Sequence, residues 1–110
     1  MTSPGDILAE LYRVLEERKS ADSGSSYVAS LYARGTDAIL KKVGEEAAET
    51  LIAAKNPDDA DLVHEVADLW FHTLVLMVQR GLPLDSLTSE LASRFGTSGH
   101  AEKAARNTTK

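Results

Sequence analysis

The sequence contains no cysteine and few aromatic residues, which account for only 5% of its 110 positions. Without cysteine the chain forms neither a disulfide framework nor a thiolate metal site, and nothing points to an oxidising compartment. Because aromatic side chains are scarce, we expect an aliphatic core. Apolar residues make up 43% of the chain and charged residues 26%, which is typical of a globular protein and excludes a wholly disordered one.

Positive charge is also in short supply, since 12 lysines and arginines face 17 acidic residues and the formal net charge is -5. Nucleic-acid capture needs a cationic surface, so we expect no nucleic-acid partner. No apolar stretch approaches the roughly 18 residues of a membrane span, and residues 1–6 lack a signal-peptide pattern. We therefore expect no membrane partner and a cytoplasmic location. An anionic substrate would then need a metal ion to mediate its binding.

Helix signals recur along the chain, whereas strand alternation and hairpin turns are missing, which predicts an all-α fold. The first predicted helix starts at Ser3 and Pro4, and after a break from Ser20 to Ser26 a short helix runs from Tyr27 to Ala33 and is ended by Gly35. A long helix capped by Thr36 then runs to about Lys55, followed by a break at Asn56 and Pro57. A second long helix, capped by Asp58 or Asp59, runs to Arg80, and a last short helix runs from Pro83 to near Phe95. We assign residues 1–96 to the helical domain. Residues 97–110 are a small, polar tail that could be disordered.

Two carboxylate pairs, one on each predicted long helix, are the most informative feature. Glu46 and Glu49 are three residues apart, as are Glu65 and Asp68, and residues three apart share a helix face. The midpoint of the two pairs is Pro57, in the predicted turn. If the helices fold back antiparallel, both pairs stand at the same height, roughly 14 Å from the turn. Four carboxylates can then meet.

Helical-wheel placement indicates where each pair points. On the second long helix one polar stripe, about 60° wide, contains Asp61, Glu65, Asp68, His72 and Gln79, and apolar residues occupy nearly all of the remaining surface. A helix apolar on most of its circumference is buried, so its polar stripe is expected to line a cleft.

On the first long helix the wheel places Glu46 at the flank of the core face and Glu49 further round. The predicted core face consists of Ile39, Leu40, Val43, Ala47 and Leu51.

Close carboxylates repel one another unless a cation compensates them, and all-oxygen ligand sets prefer hard cations. The pattern therefore predicts Mg²⁺, with Mn²⁺ as a substitute, held by Glu46, Glu49, Glu65 and Asp68. The chemistry indicated is metal-assisted phosphoanhydride hydrolysis. The alternative from the residues alone is that each acidic pair is an ordinary solvated helix face.

Three segments of the chain carry a resemblance to a known family. They are a leader of the form SY...LY..G beginning at Ser26, the KKVGEEA block with HEVADLWFH, and the SGxxEKAxR pattern in the tail. With them, residues 5–107 resemble the phosphoribosyl-ATP pyrophosphatase family of the all-α, MazG-like nucleotide pyrophosphohydrolase superfamily. The carboxylate pattern belongs to the whole superfamily, whereas these segments distinguish the histidine-pathway family.

The resemblance implies magnesium-dependent conversion of phosphoribosyl-ATP to phosphoribosyl-AMP and pyrophosphate, the second step of histidine biosynthesis. Residue by residue, Glu46, Glu49, Glu65 and Asp68 match the metal ligands. Glu45 matches the motif's first glutamate, as a ligand to a second metal or as the catalytic group that orients the attacking water. Many relatives are fused to the cyclohydrolase of the next step, whose cysteine and histidine ligands are missing here, so the chain resembles the free-standing form.

Several residues are candidates for supporting roles. Lys42, and with weaker support Lys41 and Arg34, could bind substrate phosphates, the alternative being a solvated basic pair. His72 shares the carboxylate stripe and could bond a ligand carboxylate in support of the metal. In the tail, Lys103 and Arg106 could close over bound phosphates, with terminal disorder as the alternative.

A nearly all-apolar helix is hard to cover with so small a domain, so we expect a homodimer in which the hairpins form a shared bundle. Three other functions compete with the hydrolase described above. They are a house-cleaning hydrolase of deoxynucleoside triphosphates with the same metal site, a di-iron bundle, and a non-catalytic dimerisation module. The di-iron bundle is disfavoured because it needs Glu-x-x-His pairs, and the chain has none.

Overall fold

The computed structural model describes residues 2–96, which form α-helices, one short 3-10 turn and no strand. The helices are α1 (Pro4–Glu17), α2 (Tyr27–Arg34), α3 (Thr36–Ala54), α4 (Asp59–Gln79) and α5 (Leu84–Ala92). The 3-10 turn, Arg18–Ser20, directly follows α1. None of the helices in this part of the chain is both long and apolar enough for a membrane crossing. The prediction of an all-α fold with two long helices is confirmed.

Polar side chains begin three of the helices, as the sequence predicts for α1 and α4. Ser3 and Asp6 form a capping box, in which each side chain accepts a hydrogen bond from the other's backbone N–H. The Ser26 hydroxyl accepts from a backbone N–H in the first turn of α2. Of the two aspartates considered for α4, Asp58 is the cap, because its carboxylate accepts from two first-turn N–H groups.

The start of α3 differs from the prediction that Thr36 caps it. Gly35 is the N-cap residue, and its φ of 96° lies in a region that glycine adopts readily and other residues rarely do. Thr36 is already helical, and its hydroxyl donates to the side-chain oxygen of Gln79 at 3.1 Å. Because Gln79 is the last residue of α4, this hydrogen bond ties together the open end of the hairpin.

Helices α3 and α4 form an antiparallel hairpin joined by residues 55–58. At the open end Thr36 meets Gln79, and nearer the turn the Thr50 hydroxyl lies 3.3 Å from the carbonyl oxygen of Glu65. In both pairs the two residues are equally far along the chain from the turn at Pro57 and Asp58. The observed register therefore places the two carboxylate pairs level with each other, as their spacing about Pro57 predicts.

The core lies toward the end of the hairpin that is remote from the turn. Its most completely buried large side chains are aliphatic and come from α1, α2, α3 and α4: Leu15, Leu31, Ile39, Val75 and Val78. Two tyrosine hydroxyls at its edge donate to backbone carbonyls, Tyr12 to Leu82 and Tyr32 to Leu15. Because α1 and α2 pack on this end, the other described helices leave the half of the hairpin near the turn uncovered.

The face that α3 turns inward agrees only in part with the prediction, which is confirmed for Ile39. Ile39, Glu46 and Ala53 are buried, whereas Leu40 and Leu51, both assigned to the core face, are 47% and 72% exposed. The wheel gave weight to the largest apolar side chains, but the observed register with α4 centres the contact on positions 39, 46 and 53. A polar residue, Glu46, consequently lies inside the hairpin.

Helix α4 is likewise only partly covered within one chain. Val75 and Val78 are buried, but Val63 is 67% exposed and Trp70 is 56% exposed. The prediction that this largely apolar helix is buried is thus wrong for the isolated chain. Apolar side chains remain open to solvent along the outer side of the hairpin.

Candidate metal centre

The hairpin brings three of the four predicted ligands into one group. Glu46 and Glu49 on α3 and Glu65 on α4 each offer a carboxylate oxygen, and these three atoms lie within 4.8 Å of one another. Asp68 is in a different group, in which Glu65 and His64 are its partners within the same distance. Glu65 belongs to both groups and therefore stands between them.

Burial falls steadily from the inside of the hairpin to its rim. The Glu46 side chain is 7% exposed, that of Glu65 14% and that of Asp68 39%, and Glu49 is exposed. The Oε2 atoms of Glu46 and Glu65 are buried, and neither has a hydrogen-bond partner within residues 2–96. An unpaired buried carboxylate oxygen is costly, because it has lost its water without gaining a donor. A divalent cation between these oxygens would compensate both, so the donor set fits a hard metal ion.

Thr50 joins the two helices at the height of the carboxylates. Its hydroxyl oxygen lies 2.8 Å from the carbonyl oxygen of Glu46 on its own helix and 3.3 Å from that of Glu65 across the hairpin. Thr50 therefore bridges the backbones that carry two of the ligand candidates, Glu46 and Glu65. The sequence did not single it out, since a threonine inside a helix ordinarily bonds the carbonyl four residues earlier.

Lys42 provides the positive charge closest to the buried glutamate. Its Nζ lies 3.5 Å from both Glu45 Oε1 and Glu46 Oε1. Partial burial acts to lower the pKa of Lys42, but the attraction of Tyr27, Glu45 and Glu46 outweighs it, so the pKa is raised. Lys42 therefore carries its charge at neutral pH. Glu45, the predicted catalytic residue, is 46% exposed and lies beside Lys42, outside both carboxylate groups.

The His72 side chain is hydrogen-bonded to the backbone of its own helix, α4, which also carries Glu65 and Asp68. The Nδ1–H donates to the carbonyl oxygen of Asp68 at 2.7 Å, so in the neutral ring Nε2 accepts from the Tyr27 hydroxyl at 2.8 Å. The predicted bond from His72 to a ligand carboxylate is replaced by this contact with the Asp68 backbone. The side chain of His72 is buried, and it links α2 to α4 next to the site.

His64 is a member of the site that sequence reasoning missed. Its Nε2 lies 3.3 Å from Asp68 Oδ2 and 3.9 Å from Glu65 Oε1. The available signal was its position four residues before Asp68, a spacing that brings two side chains of a helix together. His64 lies outside the narrow polar stripe of α4, so the stripe predicts a role for His72 and none for His64.

The remaining basic candidates lie apart from the carboxylates or cannot be placed. Lys41 is exposed on α3, Arg34 is exposed at the end of α2, and neither forms an ion pair within residues 2–96. Lys103 and Arg106 lie outside the described residues. Of the predicted phosphate-binding residues, the structure therefore brings only Lys42 to the glutamates.

A shallow depression adjoins the carboxylates and has a volume of about 270 Å³. Its lining consists of Glu49, Ile52, Ala53, Asp61 and Glu65. Asp61, which belongs to the predicted polar stripe of α4, thus adds a fifth carboxylate at the border. Such an opening gives a polar ligand access to Glu49 and Glu65 from solvent.

The chain is similar to one family of known proteins over most of its length. Residues 8–95 match the family described as phosphoribosyl-ATP pyrophosphohydrolase. A phosphoribosyl-ATP pyrophosphatase of Hydrogenovibrio crunogenus is 55% identical over 106 residues, which cover 93% of this chain and 94% of the relative. One from Trichlorobacter lovleyi is 56% identical over 106 residues, covering 96% and 98%. One from Methylococcus capsulatus is 54% identical over 101 residues, covering 92% and 96%.

Proposed function

Because the chain belongs to the phosphoribosyl-ATP pyrophosphohydrolase family, we propose that it hydrolyses phosphoribosyl-ATP to phosphoribosyl-AMP and pyrophosphate, the second step of histidine biosynthesis. The observation that carries the proposal is the meeting of Glu46, Glu49 and Glu65 across the hairpin, where two buried carboxylate oxygens have no hydrogen-bond partner among the described residues. No other group of described side chains combines so much negative charge with so little compensation.

The reaction breaks the bond between the α phosphorus and the oxygen that leads to the β phosphate. Water supplies the oxygen that phosphoribosyl-AMP gains, and the electron pair of the broken bond leaves with pyrophosphate. Both substrate and product carry several negative charges, which the acidic site would repel if it acted alone. Its carboxylates would hold Mg²⁺, or Mn²⁺ as a substitute, which when bound neutralises phosphate charge and makes water more acidic.

The side chains of the hairpin divide the remaining tasks. Glu46 and Glu65, held by Thr50, and the more exposed Glu49 and Asp68 provide the cation ligands. Glu45 lies at the rim, where it can accept a hydrogen bond from the attacking water and orient it.

Lys42, which lies beside Glu45, can exchange one of its carboxylate contacts for a substrate phosphate oxygen.

A homodimer is part of the same proposal. Leu51, Ile52 and Val63 are 65% or more exposed along the hairpin. An apolar groove of about 280 Å³ between α1, α4 and α5 also lies open, with Leu8, Trp70 and Leu91 in its lining. Exposed apolar surface on this scale is typical of an interface, and a second copy of the hairpin would cover it. Light scattering tests the dimer: we expect twice the chain mass of 11.9 kDa at micromolar concentration, and a monomer would refute it.

We also place the reaction in the cytoplasm. The absence of cysteine supports this location, because it removes any need for an oxidising compartment.

The test of the activity is pyrophosphate release from phosphoribosyl-ATP, measured with Mg²⁺ and with a chelator. We expect release only with the cation, and a loss of at least about a hundredfold in Glu49→Gln and Asp68→Asn. Asp37→Asn is the matched control, because it removes an exposed carboxylate from the first turn of α3. It should leave the rate unchanged.

The substrate is tested against a panel of ribo- and deoxyribonucleoside triphosphates. Faster turnover of these than of phosphoribosyl-ATP would favour the house-cleaning function instead. A soluble dimer without turnover of any of them, and without a response to divalent cations, would favour a dimerisation module.

A further inference from the structure

His64 gives the carboxylate site a nitrogen donor that an all-oxygen magnesium site does not require. We propose that His64 binds a divalent cation together with Glu65 and Asp68, and that it shifts the metal preference of the site from Mg²⁺ toward transition-metal ions such as Mn²⁺. The inference rests on the proposed function in one respect: it presupposes that the hairpin carboxylates bind a cation. It concerns which cation they prefer.

The distances around His64 are those of ligands that share an ion. Its Nε2 is 3.3 Å from Asp68 Oδ2 and 3.9 Å from Glu65 Oε1. Two atoms that each lie about 2.1 Å from one metal ion are roughly 3.0 to 4.2 Å apart, depending on the coordination angle. Both observed separations fall within that range, and the longer one exceeds any hydrogen bond. Little movement is therefore needed for the three atoms to bind one ion.

The position of Glu65 distinguishes this arrangement from an ordinary surface ion pair. One carboxylate oxygen of Glu65 faces His64, while its Oε2 is buried without a hydrogen-bond partner among the described residues. The same carboxylate belongs to the group formed with Glu46, whose Oε2 is also buried and unpartnered. His64 thus extends a site in which two buried carboxylate oxygens have no hydrogen-bond partner within residues 2–96. In an ordinary surface ion pair the histidine would contact a solvated aspartate, and its carboxylate partner would not also belong to a buried group of carboxylates.

Donor chemistry gives the expected direction of the effect. Carboxylate oxygens suit Mg²⁺ and Mn²⁺ alike, whereas imidazole nitrogen favours transition metals over Mg²⁺. The His64 side chain is 69% exposed, so the N–H of its second ring nitrogen can donate a hydrogen bond to water while the first nitrogen binds the ion. Helical spacing holds His64 beside Asp68 before the ion arrives, which reduces the entropy lost on binding. The chain should therefore bind Mn²⁺ more tightly than an all-oxygen version of the same site would.

The test uses the full chain loaded with Mn²⁺ and does not depend on turnover. Pulsed EPR detects a directly bound imidazole through coupling of the Mn²⁺ electron spin to ¹⁴N, and calorimetry gives the affinities for Mn²⁺ and Mg²⁺. We expect ¹⁴N coupling in the unmodified chain and none in His64→Gln. That variant should lose roughly tenfold in Mn²⁺ affinity and less than about twofold in Mg²⁺ affinity. His64→Glu, which restores an oxygen ligand, should bind Mg²⁺ more tightly without restoring the coupling.

Asp59→Asn is the control, since it changes an acidic residue in the first turn of α4 that lies in neither group. It should keep both the coupling and the ratio of affinities. Coupling that is missing in the unmodified chain, or that persists in His64→Gln, would overturn the role of His64. An equal loss of both affinities in His64→Gln would do the same. If Mn²⁺ binds without nitrogen coupling, the carboxylate site stands and only this inference fails. If no divalent cation binds, the proposed function fails first.

Discussion

Glu46 should destabilise the metal-free protein, and its replacement by methionine should therefore raise the free energy of unfolding. The Glu46 side chain is 7% exposed, and its Oε2 has no hydrogen-bond partner in residues 2–96. A buried polar group left unsatisfied costs about 1–3 kcal/mol, and more when it is charged. Repulsion from the oxygens of Glu49 and Glu65, within 4.8 Å, adds about 1 kcal/mol or more. Against this, the contact with the partly exposed Lys42 contributes only about 0–1 kcal/mol.

These contributions give a net gain of about 2 kcal/mol for Glu46→Met. Methionine keeps the length and helix propensity of glutamate, so the substitution adds no separate cost in the helix. For a chain of this size that corresponds to a rise of about 8 °C in Tm. The order should reverse when Mg²⁺ is added. The unmodified chain gains about 2.7 kcal/mol at a hundred times Kd, whereas the variant has lost a ligand and gains little.

Differential scanning calorimetry at pH 8 and one fixed protein concentration, with EDTA or with Mg²⁺, measures all four values. Asp37→Asn should respond to Mg²⁺ as the unmodified chain does. If Glu46→Met has a lower Tm than the unmodified chain in EDTA, the buried carboxylate does not destabilise the metal-free protein and the reasoning is wrong.

Three further predictions address the parts that hold the site. Thr50→Val removes the hydroxyl between the helices and should lower the free energy of unfolding by about 1 kcal/mol in urea, and weaken Mg²⁺ binding measured by calorimetry; unchanged binding would show that Thr50 does not set the ligand spacing. Gly35→Ala meets no atom within 4 Å but must adopt a φ of 96°, so it should cost about 1–2 kcal/mol in the same assay, and no loss would refute the strain. Burial, with the nearby Tyr12 and Glu16, raises the pKa of Tyr32 to about 12, so stability is fully present below pH 10 and is lost as the pH rises toward 12. Tyr32→Phe should flatten that decline in alkaline denaturation, and an identical decline would contradict the assignment.

The hairpin register could be predicted because it depends on chain connectivity. Proline at position 57 fixes the turn, and in an antiparallel pair every later contact is set by counting outward from it. Thr36 with Gln79, and Thr50 with Glu65, follow that count to within one residue, since the two members of each pair are equally far from the junction of Pro57 and Asp58. The same counting predicts that Glu49 is level with Glu65.

The inward face of α3 could not be predicted in the same way, because it depends on what the other helices cover. Leu51 looks like a core residue on a helical wheel, yet it is 72% exposed in the part of the chain that the structure describes. Glu46 looks like a flank residue, yet it is buried. Apolar burial alone would have favoured the leucine. The cation proposed above would, when bound, compensate the cost of burying this glutamate.

The sequence did not reveal Thr50 and His64 as members of the site, nor the partners of Asp68. Thr50 acts through contacts with carbonyl oxygens, and the sequence pattern of a helix does not reveal which hydroxyls will reach a neighbouring helix. His64 is exposed, and an exposed histidine on a helix has no periodicity of its own. Asp68 was assigned to a single four-carboxylate cluster, but it points to His64 and Glu65, a choice that depends on side-chain rotamers.

The packed core and the carboxylates occupy different lengths of the same hairpin. Ile39, Val75 and Val78 anchor the end away from Pro57, so most of the hydrophobic stabilisation is obtained without any contribution from the acidic residues. Substitutions among the ligands can therefore alter chemistry while the chain still folds. The half of the hairpin that carries the carboxylates can therefore vary in sequence, since substitutions there do not unfold the whole domain.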